Sequence, residues 1–210
     1  MKLLRKTIRR MILQEEVCAG ATAKIQKGLD EIEKRDLVIE VDIFLEGGYD
    51  ITLRQGREPS AKTVGQYEVG TSRLCPAYIT MWTEVNPTFQ KTGIGAVLYD
   101  VAIEVATELG GYLACDRSTV SDDAKPMWRY YNVSNDYEAF QMDTKKGDYT
   151  PDDKSDDCKQ TVFRRDGGIS MFDDPSTYKK EFMDSPFTKA YRKKRITTIP
   201  CLGDRYRESS

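Results

Sequence analysis

The chain predicts an α/β fold of the α+β kind: a mixed, mostly antiparallel central sheet flanked by helices. Three stretches carry that expectation. Residues 77–85 are rich in β-branched and aromatic residues and alternate as a half-buried strand does. Residues 94–109 set Ile94, Val97, Leu98, Val101, Val105 and Leu109 three and four apart, with Asp100, Glu104 and Glu108 between them. That is an amphipathic helix, stopped by Gly110 and Gly111. Residues 111–116 then read as a buried strand. A helix joins it to 77–85, so the two strands run parallel as one right-handed crossover.

The remaining elements follow in order. Met1 to Ile12 resembles an export signal only in its charge; Arg and Lys interrupt its apolar residues, and it reads as mature structure. Met11 to Leu37 is helical in pattern, with Ile12, Val17, Ile25, Leu29 and Ile32 among polar residues and Gly20 dividing two helices. Val38–Leu45 reads as a strand ending at Gly47-Gly48, with Tyr49–Leu53 as its hairpin partner. Residues 55–60 are a loop and 64–69 a short strand. Beyond the parallel pair, Ser121 is an apt N-cap for a helix running through Trp128 to Tyr131. Tyr137–Met142 is a further strand. Asp143–Asp157 is acidic and polar, a long loop. In 158–210, Tyr178, Phe182 and Met183 suit a helix. Lys189, Arg192, Lys193, Lys194 and Arg195 read as a solvated basic helix face that can also meet RNA, DNA or an acidic partner. The expected organisation is a core at 1–145 and, at 146–210, an acidic loop with a basic helical extension.

Composition narrows the function. A chain of 210 residues, 39% hydrophobic and 31% charged, has the make-up of a globular domain with a real core rather than of a disordered one. No apolar run approaches the roughly 18–20 residues of a membrane span. A net charge of -2 gives no global attraction to nucleic acid. The absence of histidine removes Ser-His and Cys-His triads and His-based metal sites. Five widely spaced cysteines suggest neither a disulfide framework nor a zinc cluster, and reduced thiols in a cytoplasm are expected.

The junction between 77–85 and 94–109 has a chemical use. The first N–H groups of a helix lack intrahelical partners and lie at the positive end of its dipole, so they form an anion site. Gly93 and Gly95 let backbone approach a bulky anion, Lys91 adds a cation and Gln90 a neutral donor. A pyrophosphate suits that set. The plain alternative is a tight turn that merely needs glycine. The Walker pattern fails because Ala96-Val97 follow Gly95, and the dinucleotide fingerprint fails because position 98 is Leu.

Gln90-Lys91-Thr92-Gly93-Ile94-Gly95, preceded by Val85, Pro87 and Phe89, resembles the acyl-CoA signature of the GNAT superfamily of N-acyltransferases. The likeness spans about Tyr78 to Trp128. It implies a splayed parallel strand pair forming an acyl-CoA cleft, with acetyl-CoA as cosubstrate and an amine as acceptor. It implies cofactor contacts at Thr83, Val85, Gln90, Lys91, Thr92, Gly93, Ile94, Gly95 and Ala96, the pyrophosphate resting on the amides of 91–96. The family's tyrosine, general acid to the departing thiolate, corresponds to Trp128 here, which cannot supply a proton. Tyr131, on the same helix face, is the expected donor, with packing alone as the alternative for it and for Tyr130. Glu84 is the expected base, with Asp116 as a second carboxylate. Glu84 faces opposite to Thr83 and Val85, so only one set points into the cleft.

Three function classes follow: an N-acetyltransferase acting on a primary amine of a small molecule, protein or nucleic acid; a non-catalytic GNAT-like protein that binds CoA or a partner; and a nucleic-acid module using the basic tail. The stretch from Asp116-Arg117 to Tyr131 is also similar to acetyltransferase-like proteins encoded by bacteriophages, which implies a host cytoplasm. No membrane or metal is expected, and a homodimer is compatible with this reading.

Overall fold

Thr22 accepts a hydrogen bond from the Ile25 amide at 3.4 Å and so begins α1 (Ala23–Lys34). The computed structural model describes residues 18, 22–58, 60–72, 75–142, 144, 145, 148, 149, 158 and 179–209. The helix expected before Gly20 lies outside them, apart from Cys18. Four antiparallel strands follow α1: β1 (Leu37–Ile43), β2 (Tyr49–Gln55), β3 (Lys62–Ser72) and β4 (Cys75–Val85). A short 3₁₀ turn, Pro87–Phe89, leads into α2 (Ile94–Glu108), which crosses to β5 (Leu113–Ala114), parallel to β4. Then come α3 (Lys125–Val133), β6 (Tyr137–Gln141), the small hairpin β7 (Thr144–Lys145) and β8 (Asp148–Tyr149), and α4 (Lys179–Asp184). Last are β9 (Lys189–Lys193), α5 (Thr198–Leu202) and β10 (Tyr206–Ser209).

Eight strands form one mixed sheet in the order β10-β1-β2-β3-β4-β5-β9-β6. The alternation read from the sequence is real where one face packs: Tyr49, Ile51 and Leu53 are buried, while Asp50 and Arg54 are not. These side chains meet those of α1 and α2 in the main core, which includes Ile25, Leu29, Ile32, Val97, Leu98 and Val101.

Three expectations need correction. The basic run at 189–193 is a strand, not a solvated helix, and it sits inside the sheet between β5 and β6. With β10 on the other edge, the sheet draws two strands from the region expected to be an added tail. Second, α2 is not amphipathic in its surroundings: Asp100 and Glu104 are fully buried, and Leu109 is exposed. The charges are tolerated because Lys193 Nζ reaches both carboxylates, 2.6 Å from Glu104 and in contact with Asp100. Tyr137 and Thr198 donate their hydroxyls to Asp100. Glu104 accepts the backbone N–H groups of Thr197, Thr198 and Ile199 at 2.6–2.7 Å.

Third, four of the five cysteines are paired, Cys18 with Cys201 and Cys75 with Cys158, across Cα separations of 5.4 and 4.5 Å. The pairs lie 183 and 83 residues apart in sequence, so only the tertiary fold brings them together. Cys115 remains a buried thiol, which burial pushes up to about 12. No helix among the described residues is long and apolar enough to cross a membrane.

Two predictions follow from the buried charges. Lys193→Ala strands two carboxylates without their cation and should cost about 3–5 kcal/mol in urea unfolding. Alkaline pH should also unfold the protein steeply. Burial lowers the Lys193 pKa, but Asp100 and Glu104 outweigh it and hold the ammonium above its ordinary value. Burial raises the phenols of Tyr49, Tyr67 and Tyr191 as well. In both cases the folded chain keeps protons that the unfolded chain releases near pH 10, so stability falls as pH rises above about 10. A melting temperature unchanged between pH 8 and pH 10.5 would contradict this.

Candidate functional site

β4 and β5 pair only at Tyr78–Leu113 and Ile79–Ala114. β4 continues to Val85, while the other chain turns away after Ala114. The β4 edge from Thr80 onward is therefore open on that side. The register between β3 and β4 also shifts here, pairing Glu68 with Trp82 and Val69 with Thr80, so Met81 is an extra residue on β4. Such a bulge bends a strand and re-aims its side chains. Met81 and Trp82 both stand exposed.

A groove of about 290 Å³ lies between the end of β4 and the start of α2. Its near wall is Thr83, Val85, Gln90, Lys91, Gly93, Gly95, Ala96 and Tyr99; Lys24 of α1 and Ser121, Asp123, Ala124 and Met127 complete it. A second hollow of about 180 Å³ shares Thr83, Tyr99, Ser121 and Ala124 with it and extends to Thr80, Trp82, Asp116 and Trp128. Together they run from the helix start to the opened strand edge.

The loop is held from within. The Asn86 side chain accepts from the Thr88 amide, Gln90 donates its amide to the Val85 carbonyl at 2.9 Å, and the Thr92 hydroxyl donates to Phe89 O at 2.6 Å. Lys91 and Gly93 have positive φ, 61° and 96°. No side chain caps α2, and the N–H groups of residues 92–96 have no hydrogen-bond partner among the described residues. Lys24 and Lys91 flank these donors, and Lys27 Nζ binds the Lys91 carbonyl at 3.3 Å.

The two glycines have different reasons. A Cβ on Gly93 would lie 2.8 Å from the Gly28 nitrogen and 3.0 Å from Lys24 O, against α1, and its φ of 96° disfavours any side chain. Gly93 therefore serves helix packing and turn geometry, which corrects the expectation that its missing Cβ makes room for the anion. A Cβ on Gly95 would meet nothing within 4 Å, and Gly95 lines the groove. Gly95 is the glycine left bare toward a ligand.

Seven of the expected contact residues therefore share one wall: Thr83, Val85, Gln90, Lys91, Gly93, Gly95 and Ala96. Thr92 is turned back onto Phe89, and Ile94 is wholly in the core. Glu84 borders a different hollow with Gln66, Trp82 and Asn86 and does not line the groove, because Thr83 and Val85 take the facing that it lacks. Tyr131 is 1% exposed, lines neither hollow and packs against Trp128, Tyr130, Tyr137 and Tyr191. Its hydroxyl has no partner among the described residues. Helical phase correctly set Tyr131 beside Trp128, but that face turns into the core. Asp116 spends Oδ1 on the amides of Ser118 and Thr119, and it borders the second hollow.

Tyr99 is the residue that sequence reasoning passed over. It is 9% exposed and borders both hollows. Burial pushes its phenol up to about 12, and the neighbouring Thr83 hydroxyl opposes that shift. One signal was available: position 99 is a helical turn beyond Gly95, on the same face. Lys24 gave none, because only the α1–α2 crossing brings it here.

No protein-family model, curated protein or solved structure matches the chain.

The buried, unpartnered hydroxyl of Tyr131 should be a net cost to the fold. Tyr131→Phe keeps the ring packing and is expected to raise stability by about 1 kcal/mol in thermal or urea unfolding. A loss of stability would show that the hydroxyl has a partner after all.

Proposed function

We propose that the protein is an acetyl-CoA-dependent N-acetyltransferase acting on a primary amine, with acyl-CoA held along the groove. One observation carries this reading. The groove runs from unpartnered helix-start amides, across the bare Cα of Gly95, to the opened edge of β4. Amides 92–96 with Lys24 and Lys91 suit a pyrophosphate. The unpaired β4 backbone suits an extended amide-bearing arm, and its N–H groups can polarise a thioester carbonyl. The incoming amine must be neutral to attack, and Asp116, rather than Glu84, is the carboxylate beside the second hollow.

A second reading, CoA binding without catalysis, draws on Trp128 standing where the resembled family has tyrosine. Within the basic run behind the nucleic-acid reading, Lys194 and Arg195 stand exposed and the other three are engaged. Lys193 is buried in ion pairs, Arg192 pairs with Glu138, and Lys189 binds Asn132 at 2.8 Å.

Calorimetric titration with acetyl-CoA tests the proposal. Gly95→Val should fold normally and lose affinity by on the order of 100-fold or more, about 2.7 kcal/mol. Gly93→Val should instead lower the melting temperature, because it strains the turn and collides with α1. A wild-type protein that shows no acetyl-CoA binding sinks the proposal. Binding without CoA release across a broad amine panel favours the non-catalytic reading.

A further inference from the structure

We propose that the Cys75–Cys158 disulfide is a redox switch that holds one wall of the second hollow in place. The switch acts on the wall, whatever ligand the hollow takes, and only its effect on acetyl-CoA rests on the reading above.

The connection runs through one arginine. β5 ends at Ala114, and the residues after it form one side of the hollow, with Asp116, Thr119, Val120 and Ser121 lining it. Within this turn Asp116 accepts the amides of Ser118 and Thr119, at 2.6 and 3.1 Å. Arg117 ties the turn to the rest of the fold. Its Nε and Nη2 donate to the Cys158 carbonyl, the first at 3.1 Å, and its Nη1 donates to the Phe187 carbonyl at 3.1 Å. The Cys115 thiol donates to that same Phe187 oxygen at 3.4 Å. Charge-assisted bonds from a planar guanidinium fix direction as well as distance.

Cys158 is bonded to Cys75, the first residue of β4, with 4.5 Å between the Cα atoms. The packing around the pair is thin. Its small core, separate from the main one, is Ala77, Ala114 and Ala190 with Met142 and Cys158. Alanine removes little apolar surface from water, so a covalent tie matters more here than in the main core. The other disulfide differs. Cys201 lies in α5, whose start is already bound by Glu104 and whose Leu202 belongs to the main core. A reagent can also reach the Cys75–Cys158 pair from one side: Cys75 is half-buried, whereas Cys158 is 3% exposed.

Opening the switch takes a dithiol. Its thiolate attacks Cys75 Sγ, the S–S bond breaks with its electron pair going to Cys158 Sγ, and a mixed disulfide forms. The dithiol's second thiolate then attacks its own first sulfur and displaces Cys75. The protein gains two electrons and two protons, and the dithiol leaves as a cyclic disulfide. Cys158 then has no covalent tie to β4, the carbonyl that receives Arg117 is no longer fixed, and the wall from Cys115 to Ser121 loosens. A disulfide oxidant reverses the exchange.

Native alkylation of Cys115 by iodoacetamide reads the wall directly. In the oxidised protein that thiol is buried and should label slowly. Cys75→Ser opens this pair and leaves the other intact. It should speed Cys115 labelling by about tenfold or more and lower acetyl-CoA affinity by about tenfold, the scale of one charge-assisted hydrogen bond. Dithiothreitol should open the same pair in the wild type, followed by peptide mass mapping, with the same rise in labelling. Arg117→Ala should match Cys75→Ser, and combining the two should add nothing, because both act through one contact. Equal Cys115 labelling in wild type and Cys75→Ser overturns the switch, as does equal acetyl-CoA affinity in a wild type that binds it. A pair that resists dithiothreitol overturns the redox role, and effects that add in full overturn the arginine link. Loss of cooperative urea unfolding in Cys75→Ser also counts against the switch, since the disulfide then supports the whole fold. A wild type that binds no acetyl-CoA refutes the acyl-CoA reading and leaves the labelling to decide.

Discussion

A single buried cation sets the terms for this fold. Lys193 lies between Asp100 and Glu104, and each carboxylate is completed by hydroxyls or by the first amides of α5. Without Lys193, α2 would carry two uncompensated charges into the core. With it, α2 is buried almost all round, and the chain after residue 188 becomes inseparable from the helix that starts at the groove. The ion cluster occupies the middle of α2, while the amide cluster and Tyr99 occupy its first turns. A fixed helix axis lets an uncapped N-terminus keep its place.

A second constraint acts on the same helix from outside. Gly28 and Gly93 touch: a Cβ on Gly28 would lie 2.5 Å from Gly93 O. This close crossing of α1 on the start of α2 brings Lys24 to the groove and Lys27 to the loop carbonyl. The positive side of the site is thus assembled by helix packing rather than by a local motif.

These two features explain what the sequence could convey. Elements built on local periodicity were legible: β1 to β4, α2 and the parallel return to β5 stand close to where alternation and helical spacing set them. The groove wall was legible for the same reason, since Thr83 to Ala96 is one continuous stretch whose strand, loop and helix each bear their own signals. Pairings across the chain were not. Lys193 joins Asp100 over a separation of 93 residues, and Cys18 joins Cys201 over 183. A basic run reads as solvated when its acidic partners lie elsewhere in sequence. Helical phase also set Tyr131 beside Trp128, but phase alone does not say which face meets the cleft. Here that face meets Tyr137 and Tyr191, and the cleft is met by Tyr99.

The loop at 90–96 shows why the groove is better read as a site than as a turn. The start of α2 has no capping side chain, where Ser, Thr, Asp or Asn would contribute about 1 kcal/mol. Gly95 sits in the first turn, where alanine would favour the helix by up to about 1 kcal/mol and nothing within 4 Å forbids it. Lys91 holds a positive φ, a conformation costing a residue with a Cβ about 1–2 kcal/mol. Each departure is small and has a stabilising alternative. Three of them within five residues, all on one groove wall, run against folding alone. Each also serves the same end: donors left open, a surface left bare, and a lysine backbone turned to aim the loop. Local rules broken together at one place are what the proposed binding role would require, and they support that proposal.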